Sequence, residues 1–179
     1  MINIAFLFGT IGGLVVTAGM YVGLLVLPEH GGASLWFGYL TMILALSMIF
    51  VGVKRYRDTQ GGGVIKFVPA LMLGLGIAIV ASVIYVMVWE VYMAATHFAF
   101  IDAYAEAMVR AKKAAGVSGP ALDAVVAEMA KFKTDYANPL YRMPMTFMEI
   151  FPVGLIIAII SAAILRNPRV LPDRGQVAA

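Results

Sequence analysis

Four apolar stretches, each long enough to cross a lipid bilayer, decide what this chain can fold into. They run from about Ile2 to Leu27, Leu35 to Val53, Phe67 to Trp89 and Phe147 to Leu165. A bilayer core about 30 Å thick requires about 20 apolar residues in a helix, and backbone groups in lipid must be satisfied within the segment. We therefore predict an all-α membrane protein with four transmembrane helices. The first stretch should persist as a span, because it lacks a basic leader and is too long for the apolar core of a signal peptide.

The composition excludes several other classes of protein. Of 179 residues, 62% are hydrophobic and 13% are charged, which excludes a soluble globule of ordinary composition. The chain has no cysteine, so a disulfide, a thiolate metal site and a cysteine nucleophile are also excluded. The net charge is +3, but basic residues cluster at the ends of the apolar stretches rather than on an amphipathic binding surface, so we predict no nucleic-acid partner. The expected organisation is a single four-span membrane domain over residues 1–179.

Basic residues predict the orientation of the spans. The bend after the second stretch and the segment after the fourth are rich in Lys and Arg, whereas residues 28–34 contain neither. Because short loops rich in these residues stay in the cytoplasm, we expect the bend and both chain termini on the cytoplasmic side. Trp36, Trp89 and Tyr92 fall at the predicted outer ends of their spans, where amphipathic rings anchor helices at the membrane interface.

The segment between the third and fourth stretches predicts an extracytoplasmic helical insertion over residues 97–143. Two apolar faces recur at helical spacing: Phe98, Ile101, Ala105 and Met108, then Leu122, Val125, Val126, Met129 and Phe132. Gly116 is expected to stop the first helix, which extends the third span outward, and Ser118, Gly119 and Pro120 to start the second. Such an amphipathic hairpin lies on the bundle, at the lipid interface or against a neighbouring protomer.

Small residues four apart predict how the spans pack. Helices in a bilayer associate through close backbone approach, which small side chains permit. The first span has Gly9 and Gly13, and the later spans repeat the pattern at Gly74 and Ala78 and at Gly154 and Ala158. We expect a tight bundle whose contacts run along these residues.

Three short motifs resemble one family. They are the segment 52–58 with its following glycines, the segment 146–154, and Leu165-Arg166-Asn167-Pro168. In these motifs and in layout the chain resembles the domain of unknown function 4199 family of small bacterial inner-membrane proteins. The resemblance implies a four-span fold with an extracytoplasmic helical insertion, in the bacterial inner membrane. It implies no activity for particular residues.

Ionisable groups near a bilayer are costly and are therefore candidates for function. Glu90 and His97 lie seven residues apart, about 20° around an ideal helix, and Glu149 begins the fourth span at the same outer level. Together they form a candidate cation or proton site, which leaves any metal unspecified. The alternative for Glu149 is a capping box with Thr146, and for Glu90 it is interface water or a pair with Arg142.

Lys54, Arg55 and Arg57 in the basic bend have two interpretations. They anchor the topology, and they are candidates for contact with anionic lipid head groups.

These observations leave two hypotheses for function. The leading one is a non-enzymatic scaffold, accessory or regulatory component, which self-associates or binds another membrane protein through its outer hairpin. The alternative is a transporter or channel for a cation, a proton or a small solute, with Glu90, His97 and Glu149 at its outer mouth. No catalytic motif and no cofactor signature is present. We expect no enzyme activity, no cofactor, and membrane lipids as partners.

Overall fold

A computed structural model describes residues 1–26 and 32–172, with the backbone alone for residues 32–35. These residues form helices and no strand: α1 (Ile2–Val26), α2 (Gly32–Leu46), α3 (Met48–Gln60), α4 (Phe67–Ala95), α5 (Ala99–Ala114), α6 (Pro120–Ala137) and α7 (Pro139–Leu165). Four helical segments are long and apolar enough to span a membrane, namely α1, Trp36–Gln60 across α2 and α3, α4, and α7. The predicted all-α membrane protein with four spans is confirmed.

The small-residue positions lie where α4 meets its two main neighbours. A Cβ atom placed on Gly9 would lie 2.6 Å from the Cβ of Val80, and one on Gly13 would lie 2.8 Å from the Cβ of Ile84. Residue numbers rise together along this contact, so α1 and α4 run parallel. The closeness of these approaches explains why the two α1 positions carry no side chain.

On the opposite side of α4, small residues face each other across the contact with α7. A Cβ atom placed on Gly74 would lie 2.9 Å from the Cβ of Ala158, and one on Gly154 would lie 2.9 Å from the Cβ of Ala78. The numbers run in opposite directions, so α4 and α7 are antiparallel. Both directions are those that four successive crossings of one membrane require.

Polar side chains inside the bundle are satisfied locally. The hydroxyls of Thr17 and Ser82 each donate to the carbonyl four residues earlier, both at 2.8 Å. Among the described residues, no buried side-chain nitrogen or oxygen lacks a hydrogen-bond partner. Such internal satisfaction is what a hydrocarbon surrounding demands.

Arg57 joins the basic bend to the segment after α7. The side chain is fully buried, and its guanidinium donates to the carbonyls of Val170 at 2.8 Å and Leu171 at 2.6 Å. The bend and the segment after α7 therefore lie at the same end of the bundle. The interpretation of Arg57 as a lipid head-group contact is wrong, because protein atoms enclose its charge. Lys54 is half-buried in an ion pair with Asp58, while Arg55 is exposed.

At the other end, a turn separates α4 from the hairpin. His97 and Phe98 adopt left-handed backbone angles, with φ of 48° and 61°, so the chain changes direction after Ala95. The prediction that the first hairpin helix continues the third span outward is therefore wrong. The first hairpin helix ends as predicted before Gly116, whose φ is +84°, and the second begins at Pro120 after Gly119.

The fourth span begins eight residues before its predicted start. Asn138 caps α7 by accepting a hydrogen bond from the Leu140 amide at 3.0 Å, and the helix runs on from Pro139. The hairpin helices therefore end at Ala137, short of the predicted boundary at residue 143. Thr146 and Glu149 lie inside α7 rather than at its start, so the capping-box interpretation is wrong.

Candidate functional site

A cavity of about 580 Å³ lies at the hairpin end of the bundle, between the spans and the base of the hairpin. Aromatic rings from four helices dominate its described lining: Phe37, Tyr85, Trp89, Tyr92, Phe100, Tyr104, Phe132 and Tyr136. Glu149 is the one ionisable acid or base among these described lining residues, tyrosines aside. The site is therefore an aromatic chamber with a single carboxylate.

Trp89 organises the aromatic wall. Its indole Nε1 donates to the Tyr136 hydroxyl at 2.9 Å, which ties α4 to the last turn of α6. Its ring packs edge-on against Phe100, with centroids 5.0 Å apart, and stacks on Tyr92 at 5.5 Å. Trp89 is only 7% exposed, so the prediction that it anchors the interface is wrong.

Burial also shifts the acidity of this wall. Tyr136 lies on α6, outside the spans, and its burial raises the pKa of its phenol above the ordinary tyrosine value. The neutral phenol is thus the form that the folded protein favours.

A buried ion pair fastens the hairpin base beside the cavity. The Arg142 guanidinium makes a two-pronged contact with Glu90, in which Nε donates to Oε1 at 2.7 Å and Nη2 donates to Oε2. Its remaining nitrogen, Nη1, donates to the Tyr136 carbonyl at 2.7 Å. One side chain therefore connects α4, α6 and α7, and the predicted alternative of a Glu90–Arg142 pair is confirmed.

Glu149 lies on α7 and faces the cavity. It is sixteen residues before Leu165, the last residue of α7. At 1.5 Å per residue this separation is about 24 Å, near the outer limit of a hydrocarbon core. Among the described residues, Glu149 forms no hydrogen bond or ion pair. Its carboxylate is available to a ligand.

The three residues of the predicted cation or proton site lie in different settings. Glu90 is held by Arg142, His97 is exposed in the turn after α4, and Glu149 lines the cavity. Glu90 and His97 do not share a helix face, because α4 ends at Ala95. Within the described ranges, no group of three His, Cys, Asp or Glu side chains is placed to hold a metal ion.

Sequence reasoning missed the cavity itself. Its aromatic residues come from four helices and are spread over residues 37–136, and none belongs to a motif. The available signal was the recurrence of Trp, Tyr and Phe at the outer end of several helices.

Comparisons with known proteins place the chain in a family without assigning it an activity. No curated protein and no solved structure matches it. One family model, described as "Protein of unknown function (DUF4199)", matches residues 7–167. This match spans nearly the whole chain, and the four-span fold agrees with the resemblance in its motifs. The chain belongs to the DUF4199 family.

Proposed function

We propose that this protein is a non-enzymatic membrane component whose outer hairpin is a contact surface for a second copy or for another membrane protein. The observation that carries the proposal is the buried Glu90–Arg142 ion pair at the hairpin base. A buried ion pair adds little stability compared with apolar packing, and its best-attested role is to specify one arrangement. A hairpin that served only as a linker would not require a fixed orientation.

The far part of the hairpin supplies the surface. Val126 is 47% exposed, and its apolar neighbours Leu122, Val125 and Met129 on α6 are only half-buried. An ion pair between Lys133 and Asp102 joins the two helices nearer the base, at 2.5 Å. The exposed side of α6 is therefore held at a set position while its apolar residues remain partly uncovered.

Crosslinking in native membranes tests this role, because the chain has no cysteine of its own. We would introduce Val126→Cys and, as a control on the opposite side of α6, Ala124→Cys, then add a short bifunctional maleimide. We expect products of at least twice the monomer mass from Val126→Cys and none from Ala124→Cys. Monomer alone for both variants, or equal crosslinking at both positions, would contradict the proposal.

We place the protein in the bacterial inner membrane, with the basic bend and both chain termini in the cytoplasm and the hairpin outside. The support is the position of Arg55, Lys66 and Arg166 at the end of the bundle opposite the hairpin. A C-terminal alkaline phosphatase fusion should be inactive, whereas the same enzyme inserted at Ser118 should be active. The reverse pattern would overturn this orientation.

Transport of a cation, a proton or a small solute is the second candidate function, and Glu149 in the cavity favours it. Flux into liposomes should then fall for Glu149→Gln and remain unchanged for Glu128→Gln, an exposed acid on α6. Flux no greater than that of empty vesicles would remove this candidate.

A further inference from the structure

We infer that the outer cavity is a binding site for an amphipathic organic cation, such as a lipophilic amine, quaternary ammonium or phosphonium, whose charge pairs with Glu149 while the aromatic rings surround its apolar groups. Such binding at the base of the hairpin is separate from the contact role proposed for its far part.

The size of the cavity sets the size of the ligand. Its volume of about 580 Å³ is in the range typical of small-molecule sites, about 300–1,000 Å³. Helices α1, α2, α4, α5, α6 and α7 all contribute to its described lining, so a ligand there would contact the spans and the hairpin base together. A single metal ion or proton would leave most of this space unfilled. An organic molecule with several carbon groups would fill it.

The charge of the cavity sets the charge of the ligand. Glu149 has no ion-pair partner among the described residues, and the described lining contains no Lys, Arg or His. The nearest arginine on the same helix, Arg142, is already neutralised by Glu90. A carboxylate at the edge of a hydrocarbon core is costly unless a positive group accompanies it. A bound cation supplies that group.

The aromatic walls favour the same ligand. Aromatic faces carry negative charge density and attract cations, most strongly where water is excluded. The protein itself shows such packing at the margin of the site, where the Arg142 guanidinium carbon lies 5.0 Å from the Phe98 ring centroid and 5.7 Å from that of Tyr136. The aromatic rings and the Glu149 carboxylate thus favour a ligand that has both a positive charge and large apolar groups.

Two large ions of opposite charge distinguish this site from a general apolar cavity. Tetraphenylphosphonium and tetraphenylborate have nearly the same size and shape. We would titrate each into the full chain in lipid nanodiscs and follow tryptophan fluorescence. Trp89 lines the cavity whereas Trp36 is 74% exposed, so the Trp36→Phe background reports on the site alone. We expect saturable quenching by the phosphonium and at least about tenfold weaker binding of the borate.

Variants of Glu149 test the role of its carboxylate. We expect Glu149→Gln to weaken phosphonium binding at least about tenfold, Glu149→Asp to retain part of it, and the control Glu128→Gln to leave it unchanged. Thermal unfolding in the same nanodiscs checks that each variant is folded. The comparison of phosphonium with borate uses the protein with its native Glu149, so it does not depend on how any Glu149 variant folds. Equal binding of both ions, binding of neither, or full phosphonium binding by folded Glu149→Gln would overturn the inference. Crosslinking through Val126→Cys is measured separately, so either proposal can fail alone.

Discussion

Removing Arg142 should loosen the joint between the hairpin and the bundle more than removing any exposed arginine. The side chains of Arg142 and Glu90 are only 4% and 20% exposed. Deleting one partner of a buried ion pair typically costs about 3–5 kcal/mol, because it leaves an uncompensated charge. Since Glu90 retains some contact with solvent, we expect Arg142→Met to lower the free energy of unfolding by about 3 kcal/mol, at the lower end of that range.

A double-mutant cycle separates the interaction energy of Glu90 and Arg142 from the other effects of each substitution. Glu90→Gln leaves the Arg142 guanidinium, which is only 4% exposed, without its counter-ion, so its cost should also be about 3 kcal/mol. In the double variant no charge is left without its partner. The double variant should therefore be more stable than the sum of the single effects predicts, by about 1–3 kcal/mol.

Reversible unfolding in mixed micelles of dodecyl maltoside and dodecyl sulfate, followed by tryptophan fluorescence, measures these free energies. The matched control is Arg110→Met on the same hairpin, where the pair with Glu106 spans 3.4 Å and both side chains are mostly exposed. We expect this control to change stability by less than about 0.5 kcal/mol. Additive effects of Glu90→Gln and Arg142→Met, or equal effects of Arg142→Met and Arg110→Met, would refute the reasoning.

Three further predictions concern other contacts. Gly74→Ala should destabilise the bundle by about 1–2 kcal/mol, because the added Cβ would lie 2.9 Å from the Cβ of Ala158. Gly76→Ala, whose added Cβ has its nearest contact at 3.4 Å, should be neutral or stabilising. Equal unfolding midpoints for the two variants would contradict this prediction. Arg57→Gln should release the segment after α7, so trypsin should cleave after Arg169 about tenfold faster than in wild type, as followed by mass spectrometry. Arg55→Gln should leave this rate unchanged, and equal rates for the two variants would count against the contact of Arg57 with Val170 and Leu171. Burial raises the pKa of the Tyr136 phenol, so the stability that the neutral phenol contributes is complete below a pH of about 10 and is lost as the pH rises above it. The free energy of unfolding should therefore fall less between pH of about 8 and 11 for Tyr136→Phe than for wild type. An equal fall in both proteins would contradict the raised pKa.

The spans were predictable because the signal for them is local. A helix in lipid must be apolar along about 20 residues whatever it packs against, so hydropathy alone locates it. Close helix contacts can also be predicted locally, because they require small residues such as Gly74 and Gly154 whichever helix lies opposite. Neither property depends on knowing which helices are neighbours.

The start of α7 was not predictable by the same rule. Arg142 interrupts the apolar run, so the predicted span began after it, at Phe147. In the fold Glu90, 52 residues away, neutralises this charge and allows the helix to continue from Pro139. A long-range partner decides the boundary, and hydropathy contains no information about it.

Arg57 and Trp89 show the same limit for single residues. In sequence, Arg57 looks like its neighbours Lys54 and Arg55, and only the returning segment after α7 buries it. Trp89 looks like an interfacial anchor, and only the hairpin helices turn it into a cavity wall. The candidate site depends on such contacts, so only one of its three predicted ionisable residues, Glu149, lies in the cavity.

Labelling of single cysteines with a membrane-impermeant maleimide tests the central claim most directly, namely that the basic bend and the segment after α7 share one face of the membrane while the hairpin occupies the other. The chain has no native cysteine, and Thr59→Cys, Asn167→Cys and Ser118→Cys all lie at exposed positions. In intact cells only Ser118→Cys should be labelled, and in inverted vesicles only the other two. Thr59→Cys and Asn167→Cys labelled from opposite sides, or Ser118→Cys labelled from the same side as either, would contradict the four-span arrangement.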